Sequence, residues 1–163
     1  MPSSTRLKSG TSGTSGTSGK SGSRLQLALN VRNLDEAVDF YSKMFGAPAA
    51  KRKPGYANFA IEDPPLKLVL FENPGAPERL NHLGVEVSRG SDVTVATERL
   101  KAAGMSHRVE DETTCCYAVQ NKVWAQEPEG LRWEWYHVLA DTDAFWAEAP
   151  ESKPEPPVDD SCC

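Results

Sequence analysis

An internal repeat constrains this chain more than any other feature. Arg24 to Val31 (RLQLALNV) alternates as a strand does, and Asn33 then precedes Glu36 by three residues, the spacing of a helix cap. Leu34, Ala37, Val38, Tyr41, Met44 and Phe45 follow at helical spacing and predict one apolar face, ended by Gly46 and Pro48. Three short strands are expected next, over 49–53, 56–61 and 66–72, with Pro64–Pro65 between the last two. The second half repeats the plan. Asn81 to Ser88 (NHLGVEVS) reads as a strand, and Ser91 as the cap of a helix carrying Val93, Ala96, Thr97 and Leu100 that stops at Gly104. Strands over 106–109, 115–125 and 131–138 complete it, the last two parted by Pro128–Glu129–Gly130. The expected fold is α+β: two β-α-β-β-β modules, about 24–72 and 81–138, joined by a linker over 73–79 and pairing their concave faces around a cleft.

The flanks do not share this patterning. From Ser9 to Ser23 the chain is Gly, Ser and Thr with a single Lys, Lys20, and no large apolar residue, so residues 1–22 read as a flexible tag or linker, a natural low-complexity arm being the alternative. The domain should then span 23–140, and 141–163 should hold a short helix and a disordered Cys-Cys tail. Without Arg6, Lys8 and Lys20 the 18 basic residues fall to 15 against 23 acidic ones, a net of −8, which argues against nucleic-acid binding. No apolar run approaches the roughly 20 residues that span a bilayer. A soluble cytoplasmic protein, monomer or homodimer, is expected. The four cysteines form two adjacent pairs, Cys115–Cys116 and Cys162–Cys163. Neighbouring cysteines make strained disulfides and lack the separation of a zinc ribbon, so both pairs should be free dithiols in a reducing compartment.

The segments QLALNVRNLDEAVDFYSKMFG, NHLGVEV and EPEGLRWEW, in this module order, resemble the vicinal-oxygen-chelate superfamily of glyoxalases, extradiol dioxygenases and bleomycin-resistance proteins. The resemblance implies a metal in the cleft, with ligands falling on Gln26, His82 and Glu134. Many iron enzymes of the family have histidine where this chain has Gln26, a departure that glyoxalases tolerate. Aligning LKLVLF with LRWEWY sets Val69 opposite Glu134 in the repeat. A four-ligand glyoxalase has a carboxylate at both positions, so three protein ligands and open coordination positions are expected here, close to the facial triad of non-haem Fe(II) oxygenases. Taken singly, each residue has a plainer reading. Gln26 could be a hydrogen-bonded surface amide and His82 a core histidine, whereas Glu134 between two tryptophans is costly to bury without a partner.

Thiolates favour soft centres, and a trivalent arsenical R–As(OH)₂ exchanges its two hydroxyls for two sulfurs. The vicinal pair Cys115–Cys116 suits that chemistry; the alternative is two small apolar residues filling a strand. With the metal cleft, the segment TTCCYAVQNKVWAQEPEG resembles the organoarsenical carbon–arsenic lyases and related cadmium-induced proteins. That likeness implies Fe(II), dioxygen, a trivalent methyl- or aryl-arsenical substrate and inorganic As(III) as product. Strand alternation would place Tyr117 and Val119 beside Cys115 as pocket lining, and Cys162 and Cys163 could serve as accessory thiols. A sequestering protein of the same fold and a glyoxalase-like isomerase are the competing readings.

Overall fold

The computed structural model describes residues 22–146. The tag segment up to residue 21 and the tail from 147, with Cys162 and Cys163, lie outside the described residues. The first module comprises β1 (Arg24–Val31), α1 (Leu34–Phe45), β2 (Lys51–Lys53), β3 (Tyr56–Ile61) and β4 (Leu66–Glu72). The second comprises β5 (Leu80–Glu86), α2 (Gly90–Ala102), β6 (His107–Cys115), β7 (Ala118–Gln126) and β8 (Arg132–Asp141). All eight strands join one mixed sheet in the order β2-β3-β4-β1-β5-β8-β7-β6, so the two modules meet where β1 pairs antiparallel with β5. The α+β fold of two β-α-β-β-β modules is thus present.

Alternation along the central strands makes two surfaces. On one face Val31, Leu68 and Leu70 pack with Leu34 and Val38 of α1, with Leu27 and Leu29 against them. Val87 and Val123 pack likewise with Val93, Ala96 and Leu100 of α2. Gln26, Ala28 and Asn30 alternate with the residues of the α1 layer and take the opposite, concave face; all three are buried.

Helix α1 starts as its sequence predicts. Asn33 accepts from the Glu36 backbone N–H at 3.1 Å, and Gly46 ends the helix at φ 65°. Met44 leaves the expected apolar face and is 62% exposed. Ser91 does not cap α2. The cap is Arg89, whose side chain instead pairs with Asp92 in the first turn at 2.8 Å. The described part of the chain beyond Asp141 forms no helix; Trp146 makes an isolated antiparallel bridge to Cys115.

The largest departure concerns the dithiol. Cys115 ends β6 rather than opening a strand, and Cys116–Tyr117 form a two-residue hairpin turn with φ of 56° and 63°. That is the twist-matched turn between two strands, usually built from Asn and Gly. Neither residue here is one, and each left-handed residue costs roughly 1–2 kcal/mol. The turn breaks the alternation expected from Cys115 through Val119.

A candidate metal and dithiol site

The repeat itself brings the three expected ligands together. Gln26 and His82 hold equivalent positions in the two modules, and the antiparallel β1–β5 pairing opposes Gln26 to Gly84 and Ala28 to His82. Parallel pairing of β5 with β8 then sets Gly84 opposite Glu134. In the first module the matching pair is Ala28 and Val69, so the register reproduces the alignment of Val69 with Glu134. Gly84 thus lies between Gln26 and Glu134 across three strands. A Cβ there would stand 2.9 Å from Glu134 Cγ and 3.3 Å from Gln26 Nε2. The glycine opens the space in which the side chains converge. We expect Gly84→Ala to retain the native circular dichroism while lowering affinity for a divalent metal at least tenfold by calorimetry, roughly what misplacing a ligand's support costs.

Gln26, His82 and Glu134 are all buried. Gln26 Nε2 donates to Glu134 Oε1 at 2.6 Å and lies 2.9 Å from His82 Nε2. His82 Nε2 is 3.2 Å from that same carboxylate oxygen. Asn81 Oδ1, 2.7 Å from His82 Nδ1, can only accept, so Nδ1 carries a hydrogen, and the Gln26 NH₂ facing Nε2 at 2.9 Å calls for a lone pair on that second nitrogen. An imidazole fixed by a hydrogen bond at its far nitrogen is a common metal-ligand arrangement. The two oxygens of Glu134 have separate partners, because Oε2 accepts from Lys122 Nζ at 3.0 Å. Among the described residues no three His, Cys, Asp or Glu side chains form a metal cluster. The set counts as a triad only with the Gln26 amide, and an imidazole, a carboxylate and an amide oxygen suit a first-row divalent metal.

Sequence reading missed Lys122, which is 2% exposed. Burial opposes its charge, but Glu134, then Cys115 and Cys116, push its pKa well up, so it stays an ammonium. Burial likewise opposes ionisation of Glu134, yet the Lys122 ammonium holds its carboxyl well below the usual range. Strand alternation in β7 could have exposed the signal, since Gln120, Lys122 and Trp124 share a face.

Both cysteines line the same cavity as the triad, together with Tyr56, Lys67, Val69, Phe71, Gln120, Lys122 and Trp124. Their sulfurs lie 2.9 Å apart and are not joined as a disulfide. Gln120 Oε1 and Trp124 Nε1 are buried without hydrogen-bond partners among the described residues. Tyr117 does not line this cavity. It packs with Tyr56 and Phe145, at ring distances of 5.4 and 5.3 Å. Val119 pairs with Thr114 and Ala140, also away from the lining. No helix of the described residues is long and apolar enough to cross a membrane.

Residues 24–135 match the family model for the Glyoxalase/Bleomycin resistance protein/Dioxygenase superfamily. The chain is 59% identical over 123 residues to the cadmium-induced protein CadI of Mycobacterium tuberculosis, covering 76% of this chain and 81% of that protein. It is 53% identical over 131 residues to the trivalent organoarsenical cleaving enzyme of Thermomonospora curvata, covering 80% and 86%. Among solved structures, the Mn(II)-bound glyoxalase from Novosphingobium aromaticivorans aligns with a TM-score of 0.54 at 20% identity, over 74% of this chain and 41% of that one. A catechol 2,3-dioxygenase aligns at 0.55 and 20%, over 74% and 42%. At that identity the two structures speak for the fold alone.

Proposed function

Since the chain belongs to the glyoxalase/bleomycin resistance protein/dioxygenase superfamily, we propose that it is an Fe(II)- and dioxygen-dependent enzyme that cleaves the carbon–arsenic bond of trivalent methyl- or aryl-arsenicals. One observation carries this reading: a vicinal dithiol and the three donor side chains Gln26, His82 and Glu134 line a single cavity. A relative named as a trivalent organoarsenical cleaving enzyme, at 53% identity, supports the substrate class.

Cys115 and Cys116 bind R–As(OH)₂ by forming two As–S bonds, and the two thiol hydrogens leave with the two hydroxyls as water. The carbon substituent stays on arsenic, inside the cavity shared with the triad. Gln26, His82 and Glu134 hold the metal, with Val69 on the wall as a non-ligand. Fe(II), when bound, supplies redox chemistry towards dioxygen that Zn²⁺ lacks. Lys122 keeps its proton at Nζ against Glu134 Oε2, which leaves Oε1 for the metal. Val69 and Phe71, packed against Ala28, form an apolar part of the cavity wall that limits water.

The test is arsenic speciation. Fe(II)-loaded protein in air should convert methyl- or phenylarsenic(III) to inorganic As(III), whereas anaerobic or zinc-loaded protein should bind substrate without converting it. Equal turnover without oxygen would overturn the oxygen requirement. Stoichiometric binding with no conversion under any condition would establish a sequestering protein instead.

A further inference from the structure

The Gln26 amide stands between two environments with opposite demands. On one side its NH₂ bridges two lone-pair atoms, Glu134 Oε1 at 2.6 Å and His82 Nε2 at 2.9 Å. On the other, its carbonyl oxygen lies 2.5 Å from the Tyr136 hydroxyl, which is also 2.7 Å from Glu86 Oε2. A hydroxyl has one hydrogen and cannot serve both acceptors. Glu86 has the stronger claim. It is a carboxylate, fixed by Lys67 at 2.6 Å and Arg24 at 2.7 Å, and charged acceptors make the stronger bonds. With the hydrogen on the Glu86 side, Gln26 Oε1 and Tyr136 Oη face one another as two oxygens with nothing between them.

Half a turn of the amide reverses both contacts. The NH₂ would then donate one hydrogen to Tyr136 Oη, whose own hydrogen remains with Glu86, so that the hydroxyl and the carboxylate are both satisfied. On the other side three lone-pair atoms, Gln26 Oε1, His82 Nε2 and Glu134 Oε1, would point at one another. Only a cation among them makes that arrangement favourable. The amide therefore has two self-consistent positions, and a cation decides between them.

We infer that Gln26 is a two-position ligand, and that Tyr136, anchored by Glu86 and Lys67, is the positioning residue that takes the amide hydrogen when a divalent cation enters, turning the carbonyl oxygen onto the metal. The inference rests on the metal-site reading above but adds residues outside the triad. Phe71 holds the equivalent position in the first module, opposite Asn30 as Tyr136 is opposite Glu86, and it lacks the hydroxyl. The hydroxyl that receives the amide is therefore supplied by the second module alone.

The probe is Zn(II), which is diamagnetic, with the ¹⁵N-labelled full chain. The side-chain NH₂ signal of Gln26 is assigned by its loss in Gln26→Ala. Without metal it should show nuclear Overhauser contacts to the His82 ring, and with Zn(II) these should pass to the Tyr136 ring. Tyr136→Phe should weaken Zn(II) binding about tenfold, the lower end of what an outer-sphere partner contributes. In the Gln26→Ala background the same change should have almost no effect, because the coupled group is gone. Additive losses, or Overhauser contacts that stay on His82 with Zn(II) bound, would overturn the inference and leave the triad standing. Zn(II) that fails to shift the His82 ring signals would overturn the metal site itself. If Tyr136→Phe does not fold, the amide contacts in the unaltered chain decide alone.

Discussion

Glu134→Gln should destabilise the protein by about 3–5 kcal/mol and abolish metal binding, and these two losses should be separable. The first follows from Lys122. Its ammonium lies 3.0 Å from Glu134 Oε2, and both side chains are almost wholly buried, at 2% and 4% exposure. Removing one partner of a buried pair leaves an uncompensated charge in a poorly hydrated interior, which typically costs that amount. Replacing the pair together is different, since buried ion pairs are often exchanged for apolar residues at little cost. Glu134→Gln with Lys122→Met should therefore recover most of the stability in urea unfolding. It should recover none of the metal affinity, because the carboxylate donor is still missing. A destabilisation below about 1 kcal/mol in Glu134→Gln would mean that water reaches Lys122, and the pair would then count as an exposed one.

The module plan was legible because it depends on short-range signals. Alternation in RLQLALNV, the Asn33 cap and the Gly46 stop are local, and tertiary packing reinforced them. The repeat added long-range information: Gln26 and His82 are equivalent, and they lie one residue from Leu27 and Leu83, the equivalent pair on which the antiparallel junction is centred, so they come close together. Residues whose roles depend on neighbours from other strands were not legible. Nothing near Lys122 in sequence indicates that Glu134 lies across the sheet, and a lysine in a strand ordinarily reads as solvated. Asn81, which orients His82, and Tyr136, which meets Gln26, were hidden for the same reason. The turn at Cys116–Tyr117 misled because its residues carry no turn signature. Strand propensity favoured continuing through it, and the hairpin closed there against local preference, as often happens where a functional group must be presented.

That turn leads to the second large effect. Replacing Cys115 or Cys116 singly by Ser should weaken binding of methyl- or phenylarsenic(III) by at least about a hundredfold, because losing a shared ring between two sulfurs also loses the effective concentration of the second. The backbone holds the pair ready for this. Cys115 closes β6 and is 1% exposed, while the left-handed φ of 56° at Cys116 belongs to a turn that leaves the sulfurs 2.9 Å apart. Two cysteines within one regular strand would point to opposite faces and could not reach one atom. The turn is what makes a sequence pair into a spatial pair. Ser preserves size and hydrogen bonding, so the native circular dichroism should persist in both variants. A Cys116→Gly change keeps the left-handed backbone while deleting the thiol, and it should bind as weakly as Cys116→Ser but melt no lower than it, since glycine adopts that conformation freely. Removing residues 150–163, with Cys162 and Cys163, should leave most of the tight binding in place. Full affinity in Cys115→Ser together with loss on truncation would move arsenic capture to the tail, and the cavity dithiol would then have no part in it.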